Sequence, residues 1–247
     1  MICKSPQDVS AIRAVARMTA EVLRIAAESV RAGMATLELD TLIHKLITER
    51  GGVPCFLNYR GYPKSACVSI NHEVIHGIPS AKRVIQPGDI VSIDVGVNYK
   101  NYCGDCATTV AVGAVDEGKA RLLDATRGAL AAGVAAARCR GRVGDISHAV
   151  QTTVEAAGCS VVRDFVGHGI GRRLHEDPQV PNFGAAGRGT LLRPGHVLCI
   201  EPMVNLGAFD VQTLSDKWTI TTRDGLPSAH FEHMVLVTED GPEILTV

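Results

Sequence analysis

The stretch DIVSIDVGVNYKNYCGDCATTV, residues 89–110, decides the fold, because it predicts a β-hairpin that carries acidic side chains. Apolar residues occupy every second position over residues 91–97, which is the period of a half-buried strand. The residues at 98–101, NYKN, predict the turn. With a four-residue loop, Asp94 and Asp105 face each other directly on one side of the hairpin, with their Cβ atoms about 5 Å apart.

Two carboxylates that face each other across a hairpin repel, and Asp is disfavoured in strands. A bound cation removes both objections, so Asp94 and Asp105 are candidate metal ligands. The alternative is a pair of solvated Asp side chains on an exposed face of the strands.

Length and composition are typical of a soluble globular protein and favour a single domain over residues 1–247. The 247 residues are 46% hydrophobic and 21% charged, with a formal net charge of −1. Such a charge gives no basic footprint for nucleic acid or membrane surfaces. The first eight residues lack the apolar segment of a signal peptide, and the Ala-rich run at 128–137 is too short to span a membrane. Cytoplasm is therefore the expected location, without membrane association.

Helical spacing of apolar residues predicts four helices, arranged as two pairs that are each followed by strands. The predicted helices are Pro6–Arg31, Leu37–Arg50, 116–138 and Val143–Ala157, and the strands after the first pair begin at Ser65–Ile70. From Ser160 onward the chain predicts short strands between Gly- and Pro-containing loops. This rough internal duplication predicts an α+β fold, with helices covering a curved antiparallel sheet.

The second half of the chain supplies three further candidate ligands on or beside predicted strands. His168 lies in the Gly-rich stretch GHGIG, where the backbone can approach a ligand closely. Glu201 ends the apolar run LCIEP, and Glu232 lies inside the predicted strand of residues 231–237, which hydrophobic residues bound. Each alone could equally form an ordinary hydrogen bond or salt bridge. Together, one His and four carboxylates are the ligand set expected for two divalent ions that share bridging carboxylates.

Several separate stretches now resemble one family, the methionine aminopeptidases of the short bacterial type I kind. The motifs are NYRGYPKSACVSIN, VIHGIP, DVG with GDCATT, GHGIGRRLHEDPQVPN, IEPM, and SDKWT with HFEH. They occur in the family's order and cover nearly the whole chain, from about Ile12 to Val237. The resemblance implies the duplicated pita-bread (creatinase/aminopeptidase-like) fold and removal of the N-terminal methionine from nascent proteins and peptides with a small second residue.

The resemblance also implies roles for individual residues. The implied metal ligands for two divalent ions (Co, Mn, Fe or Zn) are Asp94, Asp105, His168, Glu201 and Glu232. Among these, Asp105 and Glu232 bridge the ions, and Glu201 also handles the proton of the attacking water. His76 is implied to steady the scissile amide, and His175 to bind the substrate carbonyl. The residues implied to surround the methionine side chain are Tyr59, Tyr62, Cys67 and Trp218.

The sequence departs from the family pattern at three positions near the implied site. Leu174 stands where an aromatic residue is frequent, and His230 and Met234 stand where Gln and Thr are common. These departures are expected to affect the substrate specificity and the properties of the bound metal more than the type of reaction. The gap from His175 to Glu201 leaves no room for the helical insertion of the type II enzymes.

Two other functions are compatible with the same fold. A proline-cleaving aminopeptidase would carry a large N-terminal domain, whereas 93 residues precede Asp94. A catalytically inactive module that binds ribosomes or nucleic acid would lack some of the five ligands and carry a basic surface. The expected partner is therefore a nascent polypeptide or peptide, without nucleic-acid specificity, and a monomer is expected, with ribosome docking left open.

One further motif is expected to be incidental. Cys103 and Cys106 form a CxxC pair, which in other settings indicates redox or zinc chemistry. Residues three apart on a strand point to opposite faces, and no second CxxC accompanies the pair. Substitution of both by Ser is expected to leave substantial activity.

Overall fold

The structure, a computed structural model, describes residues 2–3 and 5–247 and contains four long helices and fifteen short strands. The helices are α1 (Pro6–Ser29), α2 (Thr36–Glu49), α3 (Glu117–Ala136) and α4 (Val143–Ala156). The strands of the first half are β1 (Val53–Pro54), β2 (Ala66–Ile70), β3 (Glu73–Ile75), β4 (Ile90–Tyr99) and β5 (Tyr102–Ala111). Those of the second half are β6 (Ser160–Val161), β7 (Gly167–Gly169), β8 (Glu176–Val180), β9 (Val197–Ile200), β10 (Met203–Asn205), β11 (Val211–Thr213), β12 (Ile220–Thr222), β13 (Ser228–His230), β14 (His233–Thr238) and β15 (Gly241–Ile244).

All four predicted helices are present, and local capping explains their ends. The Ser5 side chain accepts a hydrogen bond from the backbone N–H of Asp8 and begins α1. Asp145, predicted near the start of a helix, accepts a hydrogen bond from the backbone N–H of Arg142 and so caps α4. Gly158, with φ +70°, follows the last turn of α4 in the left-handed conformation that glycine tolerates best.

The hairpin forms, but its predicted register is wrong. The turn contains only Lys100 and Asn101, both with positive φ, and Tyr99 pairs with Tyr102. As a result Asp105 lies opposite Gly96, and Asp94 lies opposite a different residue, Ala107. The two Asp side chains still share one face, because their positions differ by two residues along the ladder, and they are diagonal neighbours.

Every strand pair is antiparallel, and the strands form two principal sheets and two small ones. The first principal sheet joins β1, β2, β4 and β5, and the second has the order β15-β14-β9-β7-β8. An antiparallel bridge between Ala107 of β5 and Glu232, just before β14, connects the two sheets. The curved sheet that the sequence predicts is therefore built from two halves that meet at this bridge.

The helices cover the sheets in the duplicated manner that the sequence predicts. Buried residues of α1 and α2, such as Val15 and Ile43, share a hydrophobic core with β2, β4 and β5. Buried residues of α3 and α4, such as Leu130 and Ile146, share a second core with β9 and β14. This is the pita-bread arrangement, with helices outside and the inner faces of the sheets free to line a site. In the described part of the chain, no helix combines the length and apolar character that crossing a membrane requires.

Helix α1 rests directly on β5 at Gly104. A Cβ added to Gly104 would lie 2.3 Å from the hydroxyl oxygen of Thr19 and 3.0 Å from the carbonyl oxygen of Val15. The Thr19 hydroxyl in turn donates to the Val15 carbonyl, at 2.8 Å. Only glycine permits this approach, and the next residue of β5 is Asp105.

Candidate metal and catalytic site

The first half of the fold contributes two carboxylates from neighbouring strands. Asp94 from β4 and Asp105 from β5 point to the same face, and their carboxyl groups are hydrogen-bonded to each other. Gly96, opposite Asp105, has no side chain, and a Cβ there would lie 2.5 Å from the ring of Phe56. The glycine thus admits the aromatic ring beside the two acids.

The second half brings His168, Glu201 and Glu232 to the same place. His168 Nε2 lies 3.4 Å from Glu201 Oε1 and 3.8 Å from Asp105 Oδ2. The backbone N–H of Glu232 donates to the carbonyl of Ala107 at 2.9 Å, and this bond holds Glu232 against β5. All five predicted ligands therefore converge, three from one half and two from the other.

His168 is oriented by its surroundings. Its Nδ1–H donates to the carbonyl of Gly169 at 3.0 Å, which leaves the Nε2 lone pair directed at the carboxylates. The flanking glycines allow close approach of neighbouring strands, since a Cβ at Gly167 would lie 2.4 Å from the carbonyl oxygen of Cys199. Burial and the nearby His175 lower the pKa of His168 to about 3, so the imidazole is neutral.

Three oxygen atoms of these acids lack hydrogen-bond partners within the described protein. Asp105 and Glu232 are 4% and 3% exposed, and Asp94 Oδ1, Asp105 Oδ1 and Glu232 Oε1 have no hydrogen-bond partner. Burial raises the pKa of Asp94 to about 7, despite the hydrogen bond from Asp105. Burial and mutual repulsion raise the pKa values of Asp105, Glu201 and Glu232 well above their ordinary range.

Such a cluster fits bound cations. Four buried carboxylates cannot all ionise beside one another unless positive charge compensates them. Hard or borderline divalent ions prefer oxygen donors with an imidazole, which is the donor set present. The orphaned oxygens are the atoms that such ions would satisfy.

The two predicted catalytic histidines flank the acids on the open side. The Nδ1 atom of His175 is hydrogen-bonded to the Tyr59 hydroxyl at 2.9 Å, and its ring lies 4.3 Å from that of His168. The ring of His76 makes edge contacts with Phe165 and Trp218. Burial lowers the pKa of His76 to about 4 and lowers that of His175, so both imidazoles are neutral near pH 7.

These groups line a cavity of about 270 Å³. The four residues predicted around the methionine side chain all belong to its wall, and the rings of Tyr62 and Trp218 meet edge to face, with centroids 5.1 Å apart. The lining residues that sequence analysis did not single out are Phe56, Arg60, Ile75, Phe165 and Val166. Their positions come from loops and small strands whose meeting no local pattern signals.

Cys199 is a further residue that the sequence analysis missed. Its sulfur lies within 4.8 Å of candidate ligand atoms of Asp105, His168 and Glu232, and its thiol is hydrogen-bonded to Glu232. Strand alternation could have indicated it, since Cys199 lies two residues before Glu201 and so shares its face.

The CxxC pair is divided between two environments. The thiol of Cys103 is hydrogen-bonded to that of Cys55, whereas Cys106 lines an apolar groove between α1 and α3. All eight cysteines of the chain are free thiols in the structure. The prediction that the two residues do not act together therefore agrees with the structure.

Comparison with known proteins gives a consistent result. The model of metallopeptidase family M24 matches residues 10–239. A methionine aminopeptidase of Clostridium acetobutylicum is 44% identical over 247 residues, covering 100% of this chain and 99% of that protein. Methionine aminopeptidase 1 of Mycobacterium tuberculosis is 45% identical, with 99% and 94% covered.

Solved structures are similar over the same extent. The crystal structure of methionine aminopeptidase from Rickettsia prowazekii has a TM-score of 0.97 at 41% identity, with both chains fully covered. Prolidase from Pyrococcus furiosus has a TM-score of 0.79 at 22% identity, and 65% of that chain is covered. At that identity, the prolidase likeness concerns the fold alone.

Proposed function

The chain belongs to metallopeptidase family M24, and within it to the methionine aminopeptidases, and on this premise we propose how it removes an N-terminal methionine. It is a metal-dependent exopeptidase that binds divalent metal and acts on peptides. We propose that the chain holds two ions, through Asp94, Asp105, His168, Glu201 and Glu232. The observation that carries this proposal is the convergence of these five residues, three buried and two partly buried, with three orphaned carboxylate oxygens among them.

Within the ligand set, Asp105 and Glu232 are proposed to bridge. They come from different halves of the fold and meet beside the Ala107–Glu232 backbone bond. When bound, the two ions supply Lewis acidity, which lowers the pKa of a water and offsets charge that develops on the substrate oxygen. The ions are expected to be Co, Mn, Fe or Zn, because the donors are mostly oxygens with one imidazole.

The chain's own residues then perform the remaining steps. Glu201, ionised beside the cations, would accept the proton of the attacking water. His175 donates to the substrate carbonyl oxygen, and its hydrogen bond with Tyr59 fixes the orientation of its ring. His76 donates a hydrogen bond to the scissile nitrogen, and the proton that Glu201 has accepted passes to that nitrogen as the amine departs.

The cavity wall explains the proposed preference for methionine. Tyr62 and Trp218 offer ring faces and edges, and Cys67 offers a thiol, which suit a flexible thioether side chain. Burying that side chain contributes about 0.8 kcal/mol per CH₂. On the other side of the scissile bond, His175 would crowd the second residue, so that small side chains are preferred.

Residues 1–247 are proposed to act as one catalytic domain and as a monomer in the cytoplasm, on polypeptides that emerge from the ribosome. The site needs ligands from both halves, which supports a single catalytic unit. The net charge of −1 supports a peptide as the partner and gives no basis for nucleic-acid specificity. Docking on the ribosome itself is a further expectation.

A metal and peptide panel tests the proposal. Protein stripped with a strong chelator should lose cleavage of Met-Ala peptides and regain it with single divalent metals added anaerobically, with two ions bound per chain. Met-Phe and Ala-Pro peptides should remain uncut. The variant Asp94→Asn should lose metal and activity, whereas Asp124→Asn, at a side chain that is 82% exposed, should lose neither.

The outcomes separate the alternatives. Preference for Ala-Pro would indicate a proline-cleaving enzyme, and no cleavage with any metal would indicate an inactive binding module. Neither alternative is favoured by the relatives, which are methionine aminopeptidases over their full length. Full activity of thoroughly demetallated protein would contradict the metal mechanism.

A further inference from the structure

His230 is a buried histidine at the edge of the site that the proposed reaction does not use. The residue is 2% exposed, and its Nε2 atom has no hydrogen-bond partner among the described residues. A buried polar atom left without a partner destabilises the fold and therefore needs an explanation.

The unpartnered nitrogen lies beside a proposed metal ligand. His230 Nε2 is 3.8 Å from Glu201 Oε2, while His168 Nε2 is 3.4 Å from the other oxygen, Oε1. The Glu201 carboxylate is thus bracketed by two imidazoles, one at each oxygen. The two oxygens therefore have different surroundings, and only one of them adjoins His168.

The backbone of His230 is fixed to the strands that carry the other acids. The N–H of His230 donates to Thr109 Oγ1 at 3.0 Å, and the Thr109 hydroxyl donates to the His230 carbonyl at 2.7 Å. Thr109 also bonds to Ser92 across the β4–β5 ladder, at 2.8 Å. The backbone of His230 is consequently held in a set position relative to the strands of Asp94 and Asp105.

We propose that His230 is a positioning residue, whose Nε2–H donates to Glu201 Oε2 in the metal-loaded enzyme. The present separation exceeds hydrogen-bond length by less than 1 Å. A donor at Oε2 would keep Oε1 on the side of His168, where it could serve as a ligand. Hydrogen bonds to ligating carboxylates of this kind typically change metal affinity or activity 10–100-fold. The inference rests on the proposed role of Glu201 as a ligand.

The family resemblance supplies a conservative variant. Gln is common at this position, and its side-chain amide also carries N–H donors. His230→Gln should therefore retain the interaction, while His230→Leu removes it at similar burial. His233 provides a matched control, because it follows Glu232 directly but bonds to Thr246 at 2.9 Å, on the other side of the strand.

The test measures Co(II) and Mn(II) dissociation constants by calorimetry, the visible absorption of bound Co(II), and kcat and KM separately at saturating metal. For His230→Leu we expect metal affinity to fall 10–100-fold, the Co(II) bands to shift and kcat to fall more than KM rises. The metal affinity of His230→Gln should lie within about threefold of the parent protein's. His233→Gln should change neither the metal affinity nor kcat.

Each contrary result overturns the proposal. Unchanged metal affinity and Co(II) spectrum in His230→Leu would show that the imidazole does not position Glu201. Equal losses in His230→Leu and His230→Gln, with equal losses of thermal stability, would show a packing role only. Glu201→Gln distinguishes the underlying assignment, since unchanged metal binding in that variant would refute Glu201 as a ligand whatever His230 does.

Discussion

At His76 the chain adopts a conformation that histidine rarely takes. Its φ of 59° is left-handed, and a Cβ on the next residue, Gly77, would lie 2.3 Å from the Val68 carbonyl oxygen. Such conformations cost about 1–3 kcal/mol and persist where surrounding contacts enforce them. Here the enforced turn directs the imidazole toward Phe165 and Trp218 at the cavity wall.

His76→Ala should therefore lower kcat by about 10²-fold or more, because it removes a hydrogen-bond donor to the scissile amide. Metal content should stay unchanged, since His76 lies outside the ligand set. Steady-state kinetics and metal analysis measure both quantities. The exposed His72, four residues earlier, supplies the control variant His72→Ala, which should behave as the parent. Loss of stoichiometric metal in His76→Ala would instead identify His76 as a ligand.

At the scale of single residues, the sequence motifs pointed to side chains that share one cavity, whereas residues brought there by packing alone were not singled out. The seven predicted catalytic and ligand residues all line one cavity. Cys199 was missed, because its proximity depends on β7, β9 and β14 lying side by side. Met234 was noted only as a departure from the family, yet its sulfur accepts the backbone N–H of Asp105 at 3.2 Å. That contact comes from a segment 129 residues away.

Among the elements, the central hairpin illustrates what a local pattern leaves open. Alternation predicted both strands, but the length of the turn decides the register. NYKN resembles a four-residue loop, whereas the chain turns at Lys100 and Asn101 alone, with φ of 52° and 64°. Asn is common in the left-handed conformation, whereas Lys has no preference for it. The two-residue turn was therefore not predictable from the residue types.

Helix α1 and strand β5 depend on each other through Gly104. Gly104→Ala should destabilise the protein by about 1–3 kcal/mol, because its Cβ would collide with the Thr19 hydroxyl and force the helix outward. Urea unfolding with metal bound measures the loss. Gly128→Ala, in helix α3, is the control. The added Cβ would make only an ordinary contact, at 3.7 Å, and alanine has a higher helix propensity than glycine. Equal stability of the two variants would contradict the tight contact.

For the whole molecule, the buried site makes stability depend on pH when metal is removed. The carboxyls of Asp94, Asp105, Glu201 and Glu232 have raised pKa values in the folded protein. An unfolded chain ionises them near pH 4, so the folded state binds more protons and loses stability as pH rises. The buried histidines have lowered pKa values and oppose this trend only below about pH 6.5.

Metal-free protein should therefore lose stability as the pH rises from about 6 through 7, the folded pKa of Asp94, by on the order of 1 kcal/mol per pH unit for each carboxyl that is still protonated. Metal-loaded protein should show no such loss, because its carboxylates are already ionised. Thermal unfolding in chelator and in excess metal, across that pH range, measures the difference. Parallel pH profiles for the two forms would count against the buried, cation-dependent cluster.

At this scale the sequence predicted the class of fold and its duplication, since four helices with correct spacing appear in two pairs. It could not predict that the strands separate into four sheets or which strands meet. Strand β9 pairs with β14 and β7 in a sheet that is buried on both sides. A short apolar run indicates that a strand is buried, but it does not indicate which other strand it pairs with.

The junction at Ala107 and Glu232 has a consequence for how experiments on this protein are interpreted. The proposed ligands come two from one half and three from the other, so the full binding free energy of the metal would be available only when the halves are docked. The measured metal affinity therefore also reports how tightly the two halves of the fold pack against each other. A substitution far from every ligand, if it loosens the contact between the halves, will register as weaker metal binding, and added metal will mask part of its damage.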